Sequence, residues 1–543
     1  MNYLYKTAWL LPFVLGCILL ASCDTPRPSS HPAVSATRAL QTAYTEPHRP
    51  QFHFSPAAKW MNDPNGLVYY QGEYHLFYQY YPDSTVWGPM HWAHAVSTDL
   101  VHWEHLPVAL YPDEKGYIFS GSAVVDWGNT SGFGKDGQPP LIAMFTYHDP
   151  AAEKTGIQAY QSQAIAYSLD RGRSWTKYAG NPVIPNPGNA RDFRDPKLVW
   201  DAERRQWVVA LAVADHAEFW TSYDLKNWTK RSEFGRTLGN HGGVWECPDL
   251  FPITVEGSGE KMWVLLQNIN PGHPNGGSGT QYFVGKFDGT TFNLDPGFLP
   301  YVQGGKAVWL DDGKDNYAGV TWSDVPASDG RRLFIGWMSN WEYANKVPTG
   351  VWRNATTIPC SLTLHHTGAG YRIFREPVRA FQILRGARYA LHKTVLSTNL
   401  DLTDSLGFVP TLSELELEFD LAEGQKGKFG VELSNSTGEQ YRIGFDAAAN
   451  QFFSDRTKAG DASFSPDFAK QVSVAARQSK DKKLRLHLFF DAASVEMFAD
   501  GGATGMTEIF FPSEDFHRMK LFIDGSPGLT VEGNVYRLNR IWR

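Results

Sequence analysis

The sequence predicts an all-β protein, a five-bladed β-propeller followed by a C-terminal β-sandwich, and three observations carry that prediction. Short alternating apolar runs bounded by turn residues dominate from about Phe52 to Phe374, with no long helical pattern. A tail of Ser-x-Asp and a following Trp recurs at Ser97–Trp103, Ser168–Trp175 and Ser222–Trp228, and more weakly at Lys286–Phe292. Aromatic residues make up 14% of the chain, punctuated by 50 Gly and 33 Pro, a composition that favours strands and tight turns.

The chain has 543 residues, enough for two to four domains with real cores. Its 42% hydrophobic and 20% charged content excludes a largely disordered protein. With 50 basic and 57 acidic side chains the net charge is −7, without long runs, which argues against nucleic acid or anionic lipid as the main partner.

Lys6 precedes an apolar run from Ala8 to Ala21 that is too short to span a bilayer comfortably, so residues 1–22 read as a secretory signal. The run ends Leu20-Ala21-Ser22-Cys23, which resembles a bacterial lipobox and predicts lipidation at Cys23. The Ser/Pro/Thr-rich stretch 23–47 then reads as a flexible tether. The expectation is an exported lipoprotein, periplasmic or at the cell surface, touching membrane only through that anchor. Cys247 and Cys360 remain, too few for a disulfide framework or a zinc site, so burial must hold the protein together.

The blades follow in order. Leu67–Tyr70, the turn Gln71-Gly72-Glu73 and Tyr74–Tyr78 read as a hairpin. Lys197–Trp200 with Gln206–Leu211, and Leu250–Ile253 with Met262–Gln267, repeat it, and Tyr317–Thr321 with Leu333–Met338 supply the last set. The aspartates of the recurring tails, Asp99, Asp170, Asp224 and Asp288, are 71, 54 and 64 residues apart, about four strands per unit. This places the propeller at 48–375, a connector at 376–400 and the sandwich at 401–543. Leu415–Leu421, Phe429–Leu433, Tyr441–Phe445, Leu484–Asp491, Val495–Phe498 and Lys520–Ile523 alternate with period two in that last segment.

Each unit opens with a polar cluster, expected just before its first strand. The clusters are Trp60–Gly66, Phe119–Ser122, Phe193–Pro196, Trp245–Asp249 and Asp315–Ala318. Three carry an acid with Pro close behind it: Asp63-Pro64, Asp195-Pro196 and Glu246-Cys247-Pro248. Proline removes a donor and is expected to hold its predecessor in extended backbone. First strands line a propeller's axis, so the three acids should converge on one funnel.

Two carboxyls flanking an acetal are the apparatus of glycoside hydrolysis, and a third can bind hydroxyls and steady an oxocarbenium-like charge. The rival use, a Mg²⁺ or Ca²⁺ site, needs several oxygens in one tight shell. Here the companions are aromatic (Trp60, Trp87, Phe119, Tyr317, Trp337) or hydrogen-bonding (Asn62, Gln79, Arg194), which suits a polyol. His91/His94 and His365/His366 do not sit at metal-binding spacings. No metal and no cofactor is expected.

These residues resemble glycoside hydrolase family 32, the β-fructosidases that include levanases, inulinases and invertases, over nearly all of the chain beyond the tether. Trp60-Met61-Asn62-Asp63-Pro64-Asn65-Gly66 is similar to the family's first signature, and Arg194-Asp195-Pro196 and Glu246-Cys247-Pro248 to its second and third. The segments Asn240–Trp245 and Asn270–Gly277 look like levanase and exo-inulinase sequences more than invertases, and Asp491–Phe498 resembles a strand found late in the family. The resemblance implies a retaining hydrolase with Asp63 as nucleophile, Glu246 as general acid/base and Asp195 as transition-state stabiliser. Asn62, Gln79, Trp87, Phe119, Ser122, Arg194, Tyr317 and Trp337 would shape the fructose subsite. Retention implies a carboxyl separation of about 5–5.5 Å between Asp63 and Glu246, with Glu246 raised by burial or nearby charge and Asp195 kept ionised by Arg194. The substrate would be fructan or sucrose, with exo-action on levan or inulin the first expectation and endo-action the variant. A non-catalytic fructan-binding lipoprotein would require loss of one acid, and an arabinanase-like propeller would lack the heptapeptide and the sandwich. One departure is Cys360 after Ile358-Pro359, where many relatives carry Arg, expected to loosen a salt bridge near the domain junction.

Overall fold

The computed structural model describes residues 44–525 and 528–542. The expected signal segment and the lipidation site Cys23 lie outside the described residues. Within residues 44–47, expected as the end of the tether, Tyr44 and Glu46 are instead held by contacts while Thr45 and Pro47 are exposed. Tyr44 stacks on Trp542 with ring centroids 4.0 Å apart, and Glu46 pairs with Arg49 at 2.7 Å. A single aromatic in a polar stretch carries no periodic signal, which is why the sequence did not mark it.

Five sheets follow one another along the chain, each a meander built outward from its first strand. The first strands are Lys59–Tyr70, Tyr117–Val125, Phe193–Asp201, Val244–Thr254 and Tyr317–Thr321. Each contacts the next, and the fifth returns to the first, which closes a ring. The second strands Leu141–His148 and Gln206–Val213 are buried at every position because neighbouring blades cover both faces, so they read as continuous rather than alternating apolar runs. A strand pairing completes the closure: Trp352–Arg353, from the chain between the second and third main strands of the fifth blade, pairs in parallel with Lys59–Trp60 of the first.

The recurring aspartates turn out to be structural. Asp99, Asp170, Asp224 and Asp288 sit in the turns that lead to the outermost strands. Each carboxylate accepts backbone N–H groups just ahead, from Val101 and His102, Ser174, Lys226 and Asn227, and Thr290 and Thr291. Partial burial opposes ionisation of all four, but hydrogen bonds from the His102, Ser174, Asn227 and Thr290 side chains together with these backbone ones hold them below the usual carboxylate range.

Near the axis, two to three residues beyond the acid positions, Lys197 of the third blade pairs with Asp249 of the fourth at 3.1 Å. It also donates to the Thr321 carbonyl of the fifth at 2.7 Å. Three blades are thereby tied by one buried ammonium.

The sandwich has two six-stranded sheets. Leu415, Leu417 and Phe419 from one face Phe429, Val431 and Leu433 from the other in its core. The expected connector at 376–400 needs correcting. Only a 3-10 turn, Arg379–Leu384, links the domains, and Arg385–Leu396 is already a sandwich strand paired with Leu529–Leu538. That strand is half exposed and lacks a clean alternation, so its pattern reads as loose chain.

Buried charge joins the domains. His53, ahead of the first blade, is held between Asp491 at 2.7 Å and Glu496 at 3.0 Å, two sandwich residues as fully buried as it is. Arg375 of the fifth blade reaches Glu496 at 3.3 Å and Asp311, and Arg456 of the sandwich reaches Asp315 at 2.6 Å and Glu508 at 3.0 Å. The junction is therefore not loosened by Cys360. Arg375, on the strand paired with the one Cys360 begins, brings a guanidinium to the same place.

Burial opposes the charged form of His53, yet hydrogen bonds to Asp491 and Glu496 raise it to about 9. A base raised on folding stabilises fully below its unfolded value, about 6.5, and loses that contribution as pH rises through about 9. His53→Gln should therefore cost about 3–5 kcal/mol near pH 6, and the gap to the parent should narrow near pH 10. Urea midpoints at the two pH values check this, and a gap that does not change with pH contradicts it.

Candidate active site

Every first strand breaks its ladder where the polar cluster falls. Register shifts occur between Met61 and Pro64, Phe119 and Gly121, Glu246 and Asp249, and Tyr317 and Val320, and between Arg194 and Lys197 opposite Ala212–Ala210. The clusters thus lie inside the first strands at β-bulges, rather than ahead of them as the sequence suggested. A bulge bends its strand and re-aims a side chain, here toward the axis. Asp195, Cys247 and Ala318 have φ of +62°, +43° and +52° at these breaks. The expectation that Pro196 holds Asp195 in extended backbone fails, because the bulge overrides it. In the first blade Gly66 (φ +58°) follows the break, and a Cβ there would lie 2.6 Å from the Phe77 ring.

The result is a single cavity of about 290 Å³ lined by Asp63, Asp195 and Glu246 together with Asn62, Gln79, Trp87, Phe119 and Arg194. Asp63 accepts from Ser120 Oγ at 2.7 Å and from Asn62 Nδ2 at 3.0 Å, and the Trp60 indole N–H donates to Asn62 Oδ1 at 2.7 Å and fixes that amide. Gln79 is buried beside the cavity with its Nε2 lacking a partner among the described residues. Trp87 and Phe119 meet edge to face at 6.0 Å on the rim. Glu246 accepts from Arg194 Nη2 at 2.7 Å and from the Tyr317 hydroxyl. Asp195 Oδ2 accepts from the Cys247 backbone N–H at 3.0 Å. The Cys247 thiol lies 3.6 Å from both Asp63 and Asp195, and burial followed by those two charges keeps it protonated.

Two sequence assignments change. Ser122 does not reach the cavity: its hydroxyl donates to the Pro196 carbonyl at 2.8 Å and accepts from Leu198 N–H at 2.8 Å, tying the second blade to the third. The pleat alone would send Ser120 and Ser122 to the same side, but the bulge that leaves Ser120 unpaired between Phe119 and Gly121 breaks that alternation, so only Ser120 faces the cavity. Trp337 is fully buried behind the site against Trp60 and Trp341, and Trp341 lines the cavity in its place. Tyr317 acts through Glu246. His148, Glu153, Tyr160, Gln161 and Asp192 also line the cavity and carry no motif of their own.

Arg194 does not keep Asp195 ionised. Its guanidinium engages Glu246 and, at 2.6 Å, Asp192, with Asp195 at 3.8 Å. Burial outweighs Arg194, and with the charges of Glu246 and Asp63 it pushes Asp195 up to about 7. Burial and Glu246 also raise Asp63, against the hydrogen bonds from Ser120 and Asn62. Elsewhere, two His/Glu clusters are already filled by cationic side chains: His216–Glu218–Glu233 by Lys230 and Arg236, and Glu414–Glu416–His487 by Arg385.

Residues 53–377 match the glycosyl hydrolases family 32 N-terminal domain and residues 381–537 the family 32 C-terminal domain. The chain is 46% identical to the levanase of Bacillus subtilis, over 94% of this chain and 73% of the relative. It is 40% identical to an extracellular exo-inulinase of Aspergillus niger, over 92% and 96%. The crystal structure of exo-inulinase from Aspergillus awamori superposes with a TM-score of 0.83 at 38% identity, covering 92% of this chain and all of that one. With three acids gathered on bulged first strands and both domains matched, the chain belongs to glycosyl hydrolase family 32.

Proposed function

We propose that this protein is a retaining fructan β-fructosidase, exo-acting, that releases fructose from levan or inulin and also cleaves sucrose. The observation that carries the reading is the grouping of Asp63, Asp195 and Glu246, from three blades, around one polar, aromatic-rimmed cavity. Similarity to levanase and exo-inulinases supports the substrate class.

Asp63, oriented by Ser120 and Asn62, attacks the anomeric C2 of a terminal fructosyl unit, and Glu246 gives a proton to the departing oxygen. Burial pushes Asp195 up to about 7 and raises Asp63, so these carboxyls can hold a proton in the cavity near neutral pH. Asp195 binds sugar hydroxyls and stabilises positive charge at the ring. Water then attacks the fructosyl-enzyme with Glu246 as base, and configuration is retained.

The export reading is likewise a proposal: the apolar run Ala8–Ala21 and the lipobox-like Leu20–Cys23 support a lipoprotein anchored through Cys23. Radiolabelled palmitate should enter the parent protein and be lost in Cys23→Ala, and label retained in the variant overturns the assignment.

Early products from levan, inulin and sucrose separate exo- from endo-action. Fructose alone is expected, whereas a ladder of oligosaccharides replaces the exo reading by the endo one.

Asp63→Ala and Glu246→Gln should lose several orders of magnitude in kcat while still folding. Asp195→Asn should lose activity similarly and gain stability above pH 7. A carboxyl raised on folding favours the protonated fold, so its stabilisation is lost as pH rises through about 7. A neutral Asn escapes that loss, and its Tm at pH 8 should exceed the parent's by roughly 2–6 °C. Near-parental turnover by Asp63→Ala removes the nucleophile assignment, and an unchanged Tm in Asp195→Asn contradicts the destabilising burial of the Asp195 carboxylate.

A further inference from the structure

A second groove opens at the domain junction, between outer strands of the propeller and the sandwich, and it shares no lining residue with the catalytic cavity. It encloses about 530 Å³, within the range of clefts that take small ligands, about 300–1,000 Å³. The propeller side is built by Tyr282 on Gly279–Phe287, the third strand of the fourth blade, by Arg372 on Gly370–Pro377, the outermost strand of the fifth, and by the segment 300–312. Gln478 and Gly505 of the sandwich close the other side.

Backbone hydrogen bonds hold these side chains on the groove. Tyr282 N–H donates to the Val308 carbonyl at 3.0 Å and Leu310 N–H to the Thr280 carbonyl at 2.9 Å, which fixes Trp309 between them, and its ring meets His273 edge to face at 4.9 Å. Asp312 N–H donates across the junction to the Gly505 carbonyl at 2.8 Å, and the Asp312 carbonyl accepts from Asn275 Nδ2 at 2.7 Å. The Arg372 guanidinium lies over the Tyr301 ring, 4.3 Å from its centroid.

Three polar groups on this groove have hydrogen-bonding capacity left over. Arg372 is 8% exposed and donates through Nη1 to the Tyr371 carbonyl at 2.7 Å, but its Nε and Nη2 have no acceptor among the described residues. The Tyr282 hydroxyl, equally buried, accepts from Ile373 N–H at 3.1 Å, and its own hydrogen has no acceptor among them. The Asp312 carboxyl has no cation and no hydrogen-bond donor there. Burial, and then the charge of Asp311, push it up to about 8, so at neutral pH it carries a proton and can both donate and accept. Buried polar groups left unpaired cost stability that a ligand restores. A cation would meet Arg372, and an anion would oppose Asp312. A neutral polyol satisfies both, and the Trp309 and Tyr301 rings add apolar surface for its C–H groups.

We propose that this groove is a second, non-catalytic sugar site, which holds a segment of neutral oligosaccharide with Arg372, Asp312 and Tyr282 on its hydroxyls and Trp309 against a sugar ring. That the segment is fructan rests on the β-fructosidase reading. A polymer held at the groove and at the catalytic cavity is bound twice, so the groove raises affinity for long chains and leaves sucrose, too short to reach both, unaffected.

Two full-length variants test this: Asp312→Leu replaces the carboxyl by an apolar group of similar volume, and Arg372→Met keeps the packing of the stem. With Asp63→Ala added to stop hydrolysis, migration in native gels containing levan or inulin reads binding. Asp63→Ala alone should be retarded, and either further substitution should weaken the apparent affinity about tenfold. In the active chain KM on levan and inulin should rise about five- to tenfold, with kcat/KM on sucrose within twofold of the parent. An Asp63→Ala protein that is not retarded overturns the groove, as do unchanged retardation and KM in both variants. An equal loss on sucrose overturns it too, because that marks a structural role. A parent inactive on sucrose and fructans overturns the β-fructosidase reading instead, while the gels, which need no turnover, still read the groove.

Discussion

Five strands can line one axis, but a regular strand sends alternate side chains to opposite faces and cannot turn several consecutive polar residues toward it. The bulge in each first strand resolves that constraint, and the site depends on it. It puts Asp63, Asp195 and Glu246 on a common cavity and selects Ser120 over Ser122 as the partner of Asp63. The same breaks require positive φ at Asp195 and Cys247, an unfavourable backbone that persists because the ring closes around it.

Closure supplies that rigidity. The parallel pairing of Trp352–Arg353 with Lys59–Trp60 joins the last blade to the first immediately beside the Trp60–Asn62–Asp63 relay. The sandwich backs the same seam. Glu496 accepts from Ile358 N–H at 2.7 Å and binds both His53 and Arg375, while Arg456 and the Ile509 N–H hold Asp315, two residues before Tyr317. Tyr317 in turn steadies Glu246. A domain with no residue in the cavity thus constrains the strand that carries Tyr317, the partner of Glu246.

The electrostatics of the cavity are those of a site organised for a reacting sugar rather than for a stable empty fold. One guanidinium serves three carboxyls, and it sits on Glu246 rather than on its sequence neighbour Asp195. Asp63 and Asp195, with no cation at hydrogen-bond distance, are the acids that burial raises, which is the stability cost of gathering carboxyls in one cavity.

The propeller-plus-sandwich architecture and the three acids were legible in the chain because they depend on local signals: period-two alternation, turn chemistry and acids followed by Pro. The repeat was read correctly through Asp99, Asp170, Asp224 and Asp288, since an Asx turn needs only its own few residues. The strand Arg385–Leu396 escaped notice because exposure on its outer side erased the alternation. Which serine meets Asp63, which tryptophan lines the cavity and which acid Arg194 neutralises were decided only by the tertiary structure. Each of those outcomes is set by the direction of a side chain at a bulge or across a blade boundary, and residues distant in sequence fix that direction.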